Sequence, residues 1–158
     1  MEGKELGLLD LLKKEAIVLD VPVKNWKDAV VKAGEILVKI GAAEPRYIDA
    51  MIKTVEEMGP YIVITKGIAL PHARPEEGAK KPALVLMRLE TPVEFGNPDN
   101  DPVDIVIAFT ATDEKSHVKA LSQLAQFLQE EENIRKIREA RNVEELYSSI
   151  LNALKNLQ

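Results

Sequence analysis

"GIALPHARPEEG", Gly67–Gly78, places His72 directly behind one proline and three residues ahead of another, in a chain of 158 residues with only two histidines. The apolar run Ile68–Leu70 reads as a short strand leading up to it. Pro71 biases Leu70 toward extended backbone, and Pro75 does the same to Arg74. The imidazole therefore sits on a loop stiffened from both sides at a strand end, where fixing a reactive group costs little further ordering entropy. Two readings are open here: a reactive imidazole, or a surface loop histidine with a structural hydrogen bond.

Outward from this loop, strand-like and helical patterns alternate. On the N-terminal side, "EPRYIDAMIKTVEEMG" (44–59) predicts a helix with Ile48, Met51, Ile52 and Val55 on one face, Pro45 at N1, and Gly59–Pro60 as its stop. "YIVI" (61–64) reads as a strand. "NWKDAVVKAGEILVKIG" (25–41) predicts another helix, with Asn25 as N-cap, Gly41 at C′, and Trp26, Ala29, Val30, Ala33, Ile36 and Leu37 at helical spacing. Before it come a short helix over Leu8–Leu12 and a strand at Ile17–Leu19. On the C-terminal side, Ala83–Leu89 and Val103–Ala111 are dense in branched apolar residues and read as strands. "PVEFGNPDNDP" between them is a short strand piece and a turn-rich loop. Three helical segments follow. "SHVKALSQLAQFLQ" (116–129) sets Val118, Leu121, Leu124, Ala125 and Leu128 on one side. "NIRKIREA" (133–140) is a short helix, and "NVEELYSSILNAL" (142–154) opens with a capping-box pattern, Asn142 and Glu145. The expected architecture is α/β, a sheet covered by helices, in a single domain over 1–158.

Composition excludes several functions. Apolar residues make up 46% of the chain, enough for a core without staples, and the net charge is -5. An acidic balance argues against a nonspecific nucleic-acid binder. The absence of cysteine removes disulfides, thiolate nucleophiles and cysteine–metal clusters. The first twenty residues are too charged for a signal peptide, and no run of about 18 apolar residues offers a membrane span. The expected location is cytoplasmic, with no direct membrane insertion.

His117 falls after a strand, at the opening of a helix, within "TDEKSH" (112–117). If the strands preceding His72 and His117 are neighbours, the two rings meet at one sheet edge. A helix N-terminus opposes a cation and favours an anion. Two histidines, Arg74 and a helix N-terminus form a reasonable phosphate-binding set; the alternative is that His117 simply lies near a helix start. Asp113 with two histidines is a conceivable zinc set, but no HExxH-like spacing supports it. There is no Walker A sequence, no GxGxxG and no GxSxG elbow. No cofactor or metal is expected. The carboxylate pairs Glu56–Glu57 and Glu130–Glu132 read as solvated faces, and Trp26, Met51 and Met58 as core.

"GIALPHARPEEG" resembles the active-site signature of enzyme IIA domains of the mannitol/fructose type (type 2) in the sugar phosphotransferase system (PTS). The resemblance continues through "TPVEFGNPDNDPVDIVIAFTATDEKSHVKALSQLAQFLQEEENIRKIREARNVEEL" (91–146), including the S-H-x-x-x-L-x-x-L helix opening, and covers essentially the whole chain. "GPYIVI", "PHARPE" and "NDPVDIVIA" look closest to the ascorbate-specific branch.

The resemblance implies a five-stranded mixed sheet flanked by helices. It implies that His72 is the residue phosphorylated, on its tele nitrogen, by the phosphocarrier protein HPr. The group would pass to a cysteine of a cognate IIB protein, which phosphorylates the sugar entering through the membrane component IIC. His117 matches the second histidine, which stabilises the phosphoryl group or the ring. Arg74 and Ser116 would complete the phosphate environment. Ile68, Ala69 and Leu70, with Lys66, would make part of the rim that meets partners; the alternative is that the three apolar side chains simply plug the sheet edge. Lys80 and Lys81 add positive charge around the signature. One departure stands out: the family arginine in the preceding helix falls at Thr54, so Lys53 or Arg74 would have to supply the charge. Related domains also act as phosphorylation-dependent regulators. The sugar is therefore open between ascorbate and mannitol or fructose, and the role between transport and signalling.

Overall fold

The computed structural model describes residues 7–155, with Leu9 described by its backbone alone. The reading of the first six residues as part of a segment too charged for a signal peptide lies outside the described residues. Five strands form one mixed sheet in the order β1-β4-β5-β3-β2. They are β1 (Ile17–Val21), β2 (Val63–Thr65), β3 (Ile68–Ala69), β4 (Ala83–Val93) and β5 (Val103–Thr110). β1 runs parallel to β4, β4 antiparallel to β5, β5 parallel to β3, and β3 antiparallel to β2.

The helices are α1 (Leu8–Leu11), α2 (Trp26–Lys39), α3 (Arg46–Met58), α4 (Glu114–Leu128), α5 (Glu131–Glu139) and α6 (Val143–Lys155). They divide between the two faces of the sheet. Residues of α2 and α3 pack with Val85 and Met87 of β4 and Val106 and Ala108 of β5. Residues of α1, α4, α5 and α6 pack with Leu84, Leu86, Ile105, Ile107 and Phe109. Alternate residues of β4 and β5 thus enter opposite cores, and this explains why both strands read as continuous apolar runs rather than alternating ones. Among the described residues, no helix is long and apolar enough to cross a membrane.

Local chemistry accounts for most boundaries. The Asn25 carboxamide oxygen accepts from the Asp28 N–H at 2.9 Å, a cap worth about 1 kcal/mol. Gly41, with φ 78°, ends α2 from the C′ position. Pro45 is the N-cap of α3 rather than its first residue, a one-residue difference of the kind helix ends show. Tyr61 and Ile62 are not strand. Pro60 opens a single 3-10 turn over Pro60–Ile62, and β2 starts only at Val63, because proline's fixed φ favours the first turn of a helix over a ladder. β4 runs on past Leu89 to Val93, pairing Val93 with Val103 across an irregularity. Asn142 caps α6 by accepting from the Glu145 N–H at 2.8 Å, but the Glu145 carboxylate reaches the Arg141 N–H at 3.4 Å, so only half of the expected capping box closes. Three residues expected inside lie outside: Met58 is 63% and Val118 58% exposed, and Ala125 is exposed as well. Glu56, Glu57 and Glu130–Glu132 are exposed, as expected.

Candidate functional site

β3 and β5 are parallel neighbours, Ile68 opposite Ile105 and Ala69 opposite Val106. Their C-terminal ends therefore emerge side by side, the usual place for a site in a sheet with parallel strands. The end of β3 continues into Leu70, Pro71 and His72. The end of β5 carries Phe109 and leads into α4. Asp113 caps α4, its carboxylate accepting from the Ser116 N–H at 2.7 Å. That bond, the Ser116 hydroxyl and nearby Lys115 hold the Asp113 carboxyl below the usual carboxylate range. The cap starts α4 at Glu114 and turns His117 back toward the sheet.

The rings of His72 and His117 meet edge to face, 5.3 Å between centroids. Phe109 lies against both: its ring is stacked on His72 at 5.1 Å and tilted to His117 at 5.5 Å. Phe109 is fully buried, whereas both imidazoles are half-buried. The His72 Nδ1–H donates to the Leu70 carbonyl at 2.7 Å. A carbonyl only accepts, so this bond assigns the proton to Nδ1 and leaves the lone pair on Nε2. Burial pushes the His72 pKa below its ordinary value, the Leu70 carbonyl pulls it partly back up, and His117 lowers it again. The neutral, nucleophilic ring is thereby favoured at neutral pH.

His117 has the opposite arrangement. Its Nδ1 is buried with no hydrogen-bond partner among the described residues. A proton there would have no acceptor; with the proton on Nε2 instead, that nitrogen is a donor. One imidazole thus offers a lone pair at Nε2 and its neighbour an N–H at Nε2.

The main chain around His72 is held at both ends. The Leu70 N–H donates to the Ile62 carbonyl at 2.8 Å. The Ala73 N–H donates to the Tyr47 hydroxyl at 3.0 Å. Tyr47, on the first turn of α3 and 1% exposed, in turn donates to the Phe109 carbonyl at 2.9 Å, with the Ala73 carbonyl at 3.2 Å. Desolvation pushes the phenol up to about 12, so it is a donor at any physiological pH.

The other expected site residues divide. Arg74 is exposed two residues beyond His72, and its guanidinium makes no hydrogen bond or ion pair among the described residues. Lys66, Lys80 and Lys81 are exposed. Ser116 is engaged with Asp113 at the helix cap. Ile68, Ala69 and Leu70 do not form a rim: they are 0%, 0% and 1% exposed. β3 lies between β5 and β2, so its side chains enter the cores on both faces and have no surface to offer. Thr54 turns its hydroxyl back to the Ala50 carbonyl at 2.9 Å, and Lys53 pairs with Glu57 at 3.8 Å on the solvent face of α3. Tyr47 and Phe109 are the residues sequence reasoning missed.

Comparisons with known proteins place the chain in a family. The family model described as the phosphoenolpyruvate-dependent sugar phosphotransferase system, EIIA 2, matches residues 10–153. The ascorbate-specific PTS system EIIA component of Escherichia coli K12 is 39% identical over 141 residues, 89% of this chain and 92% of that protein. Two solved structures are similar at TM-score 0.79. One is the mannitol-specific cryptic phosphotransferase enzyme IIA CmtB of Escherichia coli, 31% identical over 90% of this chain and 95% of that one. The other is enzyme IIAMTL of Escherichia coli in its complex with phosphorylated enzyme IIBMTL, 28% identical over 96% of this chain and 99% of that one. With the paired histidines at the ends of parallel strands and a family match across nearly its whole length, the chain belongs to the EIIA 2 family of the phosphoenolpyruvate-dependent sugar phosphotransferase system.

Proposed function

We propose that this chain accepts a phosphoryl group from phosphorylated HPr on Nε2 of His72 and delivers it to a cysteine of a cognate IIB protein, in the uptake of L-ascorbate. The observation that supports this most directly is the bond from His72 Nδ1–H to the Leu70 carbonyl, which leaves Nε2 as the nucleophile. In the first step the N–P bond to the HPr imidazole breaks as a bond to His72 Nε2 forms. In the second, the cysteine thiolate takes the group and His72 returns to its neutral state. Phosphoryl transfer depends on alignment and charge stabilisation more than on covalent machinery. His117 donates from its Nε2–H to a phosphoryl oxygen. Arg74, exposed beside the nucleophile, stands in for the cation missing at Thr54. Lys66 and the exposed Val118 next to His117 carry the partner face in place of the buried Ile68 and Leu70.

Ascorbate is favoured because the curated relative that is 39% identical over 92% of its own length is ascorbate-specific. An EIIA domain does not touch the sugar, so the choice is expressed in the IIB surface it fits. The test is phosphoryl transfer from the phosphorylated chain to a panel of IIB domains. The reading predicts fastest transfer to an ascorbate IIB. Transfer only to a mannitol or fructose IIB would overturn the substrate while leaving the carrier role.

A further inference from the structure

We infer that Tyr47 is a positioning residue for phosphoryl transfer: its hydroxyl locks the main chain behind His72 to the strand whose phenyl ring supports the imidazole. This rests on the reading of His72 as the nucleophile. One oxygen accepts from the Ala73 N–H at 3.0 Å and donates to the Phe109 carbonyl at 2.9 Å. Ala73 is the residue immediately after His72, and Phe109 is the residue whose ring stacks on His72 at 5.1 Å. The hydroxyl therefore sets the spacing between the imidazole's own backbone and the surface it rests on. The other end of the loop is held separately, by the Leu70 N–H on the Ile62 carbonyl at 2.8 Å. Leu70 also supplies the carbonyl that selects the tautomer. With Tyr47 in place, the backbone on both sides of His72 is pinned, and the ring has one edge and one face fixed.

The arrangement spans both layers of the protein. Tyr47 reaches the site from α3, on the face of the sheet opposite α4, which brings His117. A phenylalanine at 47 would fill the same space but leave the Ala73 N–H without its acceptor and the Phe109 carbonyl without its donor. The loop would then be free to shift relative to Phe109. In an in-line transfer between two proteins, misplacement by about 1 Å costs on the order of a hundredfold in rate. A hydroxyl that served only to stabilise the fold would change the melting temperature and leave the imidazole as it was.

The test compares wild type, Tyr47→Phe, Ile150→Ala as a core-destabilised control in α6, and His72→Gln. Single-turnover transfer from phospho-HPr and the His72 ring 15N shifts are measured well below each melting temperature. Tyr47→Phe is expected to slow transfer at least about tenfold and to raise the fraction of His72 protonated on Nε2, as the Leu70 contact loosens. Ile150→Ala should lower the melting temperature with neither effect. Wild-type rate and an unchanged tautomer in Tyr47→Phe would overturn the positioning role. A wild-type chain that is not phosphorylated, or a His72→Gln chain that is, would instead overturn the nucleophile itself. Should Tyr47→Phe not fold, amide exchange in the wild type decides: the Ala73 N–H must be protected although it lies in a loop, and exchange at the free-peptide rate would refute the pin.

Discussion

The imidazoles of His72 and His117 stand edge to face, 5.3 Å between centroids: the His72 Nδ1–H donates to the Leu70 carbonyl, and the buried Nδ1 of His117 has no hydrogen-bond partner among the described residues. A lone pair at His72 Nε2 is thereby placed beside a second ring that can donate from its own Nε2. The sequence positions are 45 apart, and only the parallel pairing of β3 with β5 brings them together.

If His117 donates to a phosphoryl oxygen in flight, His117→Ala slows transfer to and from His72 while the fold survives, since this half-buried ring is not a core packing residue. A hydrogen bond to a charged group is worth about 1.5–3 kcal/mol, which corresponds to a slowing of roughly ten- to a hundredfold. His117→Gln, which keeps an N–H donor, recovers part of the rate. Quench-flow transfer from phospho-HPr measures both. Wild-type rates in His117→Ala would make the second histidine a bystander.

The lowered His72 pKa has a stability consequence of definite sign. Burial depresses the folded-state value below the ordinary 6.5. Between about 6.5 and that lower value the unfolded chain binds more protons than the folded one. The contribution of His72 is thus fully present above about 6.5, and stability is lost as pH falls through the window. The other titratable group facing the ring is His117. Urea unfolding of wild type and His72→Gln from pH 8 to pH 5 should show the wild type losing ground to the variant below about 6.5. A pH-independent difference would mean that the ring is solvated in the native state.

What the sequence made legible was local. Pro71 and Pro75 announced a stiff loop, Asn25 and Gly41 bounded α2, and the unbroken apolar runs in β4 and β5 announced strands, which the structure buries on both faces. Tyr47 escaped because its partners are main-chain groups of Ala73 and Phe109, and a hydrogen bond to backbone leaves no pattern in side-chain identities. Phe109 read as one more apolar strand residue. Its placement under two imidazoles depends on strand order, which no single segment encodes. The error at Ile68 and Leu70 has the same origin: proximity to His72 along the chain suggested a surface rim, whereas β3 lies between β5 and β2 and is buried. Val118 and Ala125 failed in the other direction. Helical spacing put them with Leu121 and Leu124, but the buried face of α4 is carried by Ala120, Leu124, Phe127 and Leu128, and both are left outside it.

The most direct measurement is intact mass after incubation with enzyme I, HPr and phosphoenolpyruvate, for wild type, His117→Ala and His72→Gln. The account predicts one acid-labile phosphoryl group on the wild type, the same group acquired more slowly on His117→Ala, and none on His72→Gln. A phosphoryl group on His72→Gln would contradict the assignment of the nucleophile, and with it the geometry from Leu70 to Phe109 on which the account is built.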